Sequence, residues 1–121
     1  MIGVGVDVVD IERFRRSLER TPSMRQRLFT ADELASLAGR VDPVPGLAAR
    51  FAAREAVMKS LGLGLGAFGF HEVWVRRAAS GAPELVVEGR ALELAIAAGV
   101  RRWHVSLSHG DAVAIAHVVA E

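Results

Sequence analysis

Cysteine is absent from the 121 residues. That excludes disulfides, thiolate metal sites and thiol nucleophiles, and it fits a cytosolic protein. Tyrosine is absent too, and aromatic residues make up only 6% of the chain, too few for a stacking platform that binds single-stranded nucleic acid. The net charge of +1 is too balanced for a general nucleic-acid binder. Although 51% of the residues are hydrophobic, no apolar run approaches the ~20 residues of a membrane helix. The opening residues read as a strand, without the basic stretch and cleavage site of a signal peptide, so a cytoplasmic location is expected. No repeat, linker or low-complexity stretch is visible, and the length suits one domain over 1–121.

The residues that are present divide into short elements. Residues 2–8 alternate as a strand, and Asp10 is placed to cap a helix over 11–20 that Thr21-Pro22 closes. Thr30-Ala-Asp-Glu33 is a capping box for a short helix ending before Gly39. Asp42-Pro-Val-Pro-Gly46 reads as a turn and 47–61 as a long helix, with 62–69 a glycine-rich connection. Strands follow at 71–77 and 84–88 across the Ser80-Gly-Ala-Pro83 turn, then a helix over 89–98 with Leu92 and Ile96 inward. Residues 103–108 and 112–119 form a hairpin around Gly110-Asp111. The order predicts an α+β domain with a largely antiparallel sheet.

Two carboxylates sit where side chains should be apolar. Along the first strand Ile2, Val4, Val6 and Val8 share one side, and Gly3, Gly5 and Asp7 the other. Two glycines beside one carboxylate leave a strip that a backbone or a ligand can approach closely. Asp10 already serves the helix start, so Asp7 is surplus to structural need. In the 47–61 helix, Leu47, Phe51 and Met58 share a narrow face, and Glu55 falls about 40° from Phe51 at about 100° per residue. A charge beside a packing seam is costly unless it is paired or coordinates a metal. The plain alternative is a solvated pair between Glu55 and Lys59, one turn apart.

Carboxylates without a histidine cluster suit a hard cation with oxygen ligands and retained waters, which describes Mg²⁺ better than zinc. Lys59 can neutralise a phosphate oxygen as charge builds. Together these groups describe transfer at a diphosphate. A separate feature is the run 11–27, where Arg13, Arg15, Arg16, Arg20, Arg25 and Arg27 stand against Glu12 and Glu19, a local charge of +4. It is either a solvated face or a docking surface for an acidic partner. Arg13, Arg16 and Arg20 are spaced to share one helix face.

Val4-Gly-Val-Asp-Val8, followed by Arg50-Phe-Ala-Ala-Arg-Glu-Ala-Val-Met-Lys59 with Gly62, resembles the two signature motifs of the 4′-phosphopantetheinyl transferases. Among these the chain is similar to the short, single-unit holo-acyl-carrier-protein synthases, and the likeness spans essentially all 121 residues. The resemblance implies an enzyme that transfers the 4′-phosphopantetheine arm of coenzyme A to a serine of an apo acyl carrier protein, releasing adenosine 3′,5′-bisphosphate. Asp7 and Glu55 would hold Mg²⁺ against the diphosphate, with Lys59 on a phosphate and either Glu55 or a metal-bound water as the base. Coenzyme A contacts would come from Arg50, Lys59, Gly62, Gly64, Pro83, His104, Ser106 and His109. Arg13, Arg16 and Arg20 would meet the acidic carrier protein. A homotrimer with active sites between subunits is implied as well. Arg50, on residue grounds alone, is equally a solvated side chain, and His71 and His117 read as structural. Arg54 departs from the lysine many relatives carry there, and Ala82 stands where they often have lysine.

Overall fold

The computed structural model describes residues 2–64 and 66–121. Strand β1 (Gly3–Asp10) runs without a loop into α1 (Ile11–Arg20). Asp10 ends the strand and caps the helix, its carboxylate accepting the Arg13 N–H at 2.8 Å. A short helix, α2 (Met24–Leu28), follows where only a helix stop was expected. The buried side chains of Leu28 and Phe29 anchor that turn. Helix α3 (Ala31–Leu37) starts at the expected capping box, in which Thr30 and Glu33 satisfy each other's backbone N–H.

The long helix α4 (Val44–Ser60) begins earlier than its sequence pattern suggested, so the expected turn at 42–46 is in part its first turn. Proline is tolerated there because those N–H groups have no intrahelical partner. Asp42 Oδ1 accepts the Val44 N–H at 3.1 Å. Beyond the glycine-rich connection, Phe70–Glu72 forms a 3-10 turn where the strand had been expected to begin. The chain closes with β2 (Val73–Arg77), β3 (Pro83–Val87), α5 (Gly89–Ala97), β4 (Trp103–His109) and β5 (Val113–Ala120).

The sheets are antiparallel, as expected of an α+β domain. One is three-stranded in the order β1-β5-β4, and the other is the β2-β3 pair. Helix α4 lies across the inner face of the larger sheet, buried almost all round. Ala52, Ala53 and Ala56 of the helix and Ala114, Ala116 and Val118 of β5 are all fully covered. Small residues on both sides let the elements approach closely, and β1 makes the closest approach. A Cβ at Gly3 would stand 1.8 Å from the Ser60 carbonyl oxygen, and one at Gly5 1.9 Å from that of Ala56. The glycine strip therefore receives a helix backbone. Two residues along β1 correspond to one turn along α4, which brings Asp7 beside the turn that carries Glu55.

A buried ion pair locks this arrangement. Arg54 donates to both carboxylate oxygens of Glu33, at 2.9 and 2.5 Å, and its Nε donates to the Phe70 carbonyl at 2.7 Å. Glu33 also accepts the Val75 N–H at 3.1 Å. Both side chains are fully buried. Helices α3 and α4, the 3-10 turn and β2 thus meet at one guanidinium, a geometry that suits the planar fork of arginine better than lysine.

The expected inward face of α5 is overturned. Leu92 and Ile96 are 41% and 64% exposed, and Ala91 and Ala95 pack inward instead. The helix is apolar on adjacent faces, and the small one permits closer approach. The outer face of the larger sheet is also open: Ile2, Val4, Val6 and Val8 are 46–57% exposed, with Ile115 beside them. Among the described residues no helix is long and apolar enough to cross a membrane.

Candidate active site

The N-terminal part of α1, the end of β1 and the middle of α4 enclose a cleft lined by Asp7, Asp10, Arg13, Phe14, Phe51 and Glu55. Lys59 lies one turn beyond Glu55 on α4. Its ammonium does not turn back along α4 to Glu55, as the i,i+4 alternative required. It reaches across to β1, donating to Asp7 Oδ1 at 2.9 Å and to the Val6 carbonyl at 3.1 Å. Among the described residues Glu55 forms no ion pair. Burial pushes its carboxyl above the usual glutamate range, the charge of Asp7 adds to the rise, and Lys59 partly offsets it. Two carboxylates that repel each other in a partly dry cleft are stabilised by a cation between them.

Mg²⁺ fits this donor set. The described residues contain no group of three or more metal-binding side chains, and the charged oxygen donors of the cleft are carboxylates. Mg²⁺ is commonly held by one or two carboxylates, with its remaining positions taken by water and substrate phosphate oxygens.

A second cleft opens on the other flank of α4, lined by Arg40, Gly46, Arg50, Arg77, Pro83 and His109. Arg50 is not solvated. It is only 3% exposed, its Nη1 donates to the Gly46 carbonyl at 3.2 Å, and among the described residues its buried Nε has no partner. Burial lowers its pKa, and the neighbouring Arg40 and Arg77 add to the effect. Three guanidiniums facing one hollow, one of them with an orphaned donor, make a receptor for an anion. Arg40 and Arg77 have no linear relation to Arg50, so no sequence spacing could have singled them out.

The remaining expected site residues are dispersed. His104 and Ser106 lie on the outer face of the sheet, level with Val4 and Val6 respectively, and His104 Nε2 meets Glu121 Oε1 at 3.1 Å. Asp7 is on the opposite face, so within one chain these residues do not meet it. Gly62, at φ +71°, turns the chain off the end of α4, with its N–H bonded to the Lys59 carbonyl at 3.0 Å. Gly64 follows, and the rest of that connection includes Leu65, which lies outside the described residues. Arg13, Arg16 and Arg20 are exposed along α1, whereas Arg15 is tied to Glu12 and Asp42. His71 is structural in the sense expected, bonded at 2.7 Å to the Gln26 carbonyl.

Carboxylates beside a lysine, with an arginine-lined cleft on the other flank of α4, are groups of a kind that suits phosphoryl transfer. The family model of the 4′-phosphopantetheinyl transferase superfamily matches residues 3–117, and the chain belongs to that superfamily. Within it the chain falls among the holo-[acyl-carrier-protein] synthases. The holo-[acyl-carrier-protein] synthase of Streptomyces avermitilis is 52% identical over 122 residues, covering 100% of this chain and 98% of its own. The fold agrees with the crystal structure of the Neisseria meningitidis synthase at a TM-score of 0.90 and 32% identity, over 100% of this chain and 98% of that one. A Bacillus anthracis synthase in complex with CoA (3′,5′-ADP) matches at a TM-score of 0.82 and 28% identity, over 99% and 96%.

Proposed function

We propose that this enzyme transfers the 4′-phosphopantetheine arm of coenzyme A to a serine hydroxyl of an apo acyl carrier protein, with Mg²⁺ held by Asp7 and Glu55. The observation that carries the reading is the meeting of Asp7 and Glu55 in one cleft, with Lys59 bonded to Asp7 and the arginine-bearing helix α1 as the other wall. The nucleotide end of coenzyme A belongs in the cleft of Arg40, Arg50 and Arg77, where the free Arg50 donor meets a phosphate oxygen. The diphosphate then extends past α4 to the carboxylates, and the acidic carrier docks on Arg13, Arg16 and Arg20. Bound there, Mg²⁺ supplies charge neutralisation on the diphosphate oxygens.

The serine oxygen forms a bond to the phosphorus next to the pantetheine arm. The bond from that phosphorus to the bridging oxygen breaks, and adenosine 3′,5′-bisphosphate leaves with the electron pair. Glu55 is the side chain of the cleft placed to take the hydroxyl proton. Lys59 neutralises the departing phosphate.

The working unit is a homotrimer in the cytoplasm with sites shared between subunits. Its support is the open apolar face of Val4, Val6, Val8 and Ile115, on which His104 and Ser106 are set away from their own chain's Asp7. The decisive experiment incubates the enzyme with coenzyme A, Mg²⁺ and an apo carrier protein and weighs the carrier by mass spectrometry. A carrier that gains the phosphopantetheine mass only when the divalent cation is present supports the reading, and an unchanged carrier overturns it.

A further inference from the structure

Lys59 is the only lysine of the chain, although lysine and arginine together number fifteen. The other basic positions on this helix, Arg50 and Arg54, are arginines, and Arg54 grips its carboxylate through two parallel bonds. The ammonium of Lys59 holds Asp7 by one bond, on a flexible stem, with its side chain 54% exposed and that of Asp7 only 17%. Its two acceptors are a carboxylate oxygen and the Val6 carbonyl oxygen, both hard donors of the kind a divalent cation takes. Glu55, another carboxylate of the cleft, has no ion pair among the described residues. The lysine thus sits at the oxygen donor that a cation needs.

We infer that Lys59 is a resident cation on Asp7 that the coenzyme's diphosphate draws away, so that divalent cation and diphosphate load together rather than cation first. This rests on the function proposed above. Before the diphosphate arrives, an incoming cation must displace the ammonium and bear its repulsion. Once a phosphate oxygen takes the ammonium, Asp7 and Glu55 are both free and the repulsion is neutralised. Each ligand therefore strengthens the binding of the other by the same factor. A partly exposed ion pair is worth up to about 1 kcal/mol, or about fivefold in binding. An arginine fork would release Asp7 less readily, since two bonds must break together.

A single lysine makes the test direct. Protein labelled with ¹³C at lysine Cε gives one side-chain signal by NMR, and Asp7→Ala supplies the position of that signal when the bond to residue 7 is gone. In the wild-type protein, coenzyme A with a chelator should move the signal towards the released position. Mg²⁺ alone, at a concentration that suffices when coenzyme A is present, should leave it in place. In parallel, Mn²⁺ binding without coenzyme A is followed by electron paramagnetic resonance. Lys59→Met should bind Mn²⁺ more tightly than wild type, by up to about fivefold. Equal Mn²⁺ binding by the two proteins overturns the inference. So does a lysine signal that Mg²⁺ alone displaces, or one that coenzyme A leaves unmoved. An enzyme that loads the carrier yet gives any of these results keeps its function and loses this inference. Coupled loading in a protein that never modifies a carrier does the reverse.

Discussion

Gly5 and Ala56 meet so closely that a methyl group on the glycine would stand 1.9 Å from the Ala56 carbonyl oxygen. The contact fixes the spacing between the strand that carries Asp7 and the helix that carries Glu55. Neither element can yield easily, because the atom in the way belongs to the backbone of a buried helix. Gly5→Ala should therefore lower stability by about 1–3 kcal/mol through overpacking, and it should reduce transfer more than the change in folded fraction explains. Chemical denaturation beside single-turnover rates measures both.

Removal of either carboxylate tests the proposed cation site. Asp7→Ala and Glu55→Ala should each keep the fold, as judged by circular dichroism, and lose transfer by orders of magnitude. Near-normal turnover in either variant would exclude that residue from the site.

Docking should be electrostatic. Arg16 and Arg20 are exposed on α1, away from the two clefts. Reversing their charges should raise the KM for the carrier and leave coenzyme A affinity nearly unchanged, and added salt should mimic the substitutions. Carrier binding that ignores ionic strength would remove the arginine face from the mechanism.

Assembly can be probed at Ile115, on the open apolar face of the sheet opposite Asp7. Ile115→Glu should weaken self-association and transfer together. Sedimentation and activity at matched concentrations report the two effects. A wild-type protein that is fully active as a monomer contradicts the trimer.

Acid stability should turn on Glu72. Its carboxylate accepts the Gly69, Arg90 and Ala91 N–H groups, joining the 3-10 turn to the start of α5. These bonds, that of Gly69 foremost, hold its carboxyl below the usual glutamate range. A lowered folded pKa contributes stability that is present above the ordinary glutamate pKa and is lost as pH falls through the lowered value. Glu72→Gln should therefore melt below wild type at neutral pH, with the gap closing in acid. A gap that stays constant across the pH range would show that the charge contributes nothing.

Local pattern made part of this legible in the sequence. Alternation put Asp7 on the glycine side of β1, and the capping chemistry of Asp10, Thr30 and Glu33 set two helix starts. What it missed are contacts between residues distant in the chain. Lys59 pairs with a residue 52 positions away rather than with Glu55 four away, because the glycine strip lets β1 come within reach. Arg40 and Arg77 join Arg50 only through tertiary folding. Proline at 45 hid the first turn of α4, since a proline marks a turn and a helix start alike. In α5 large and small apolar residues alternate around the helix, and periodicity could not tell that the alanines face inward.

Asp10 ends β1 and begins α1 with no residue in between. On the proposed reading, the strand that offers Asp7 to the cation and the helix that receives the carrier form one rigid gauge. The serine of a docked carrier is then measured against the phosphorus by the length of that gauge, as a workpiece is set in a jig. An acidic partner whose serine stands a turn too near or too far would dock and remain unmodified, so the junction at Asp10 selects substrates by dimension where the arginines select only by charge.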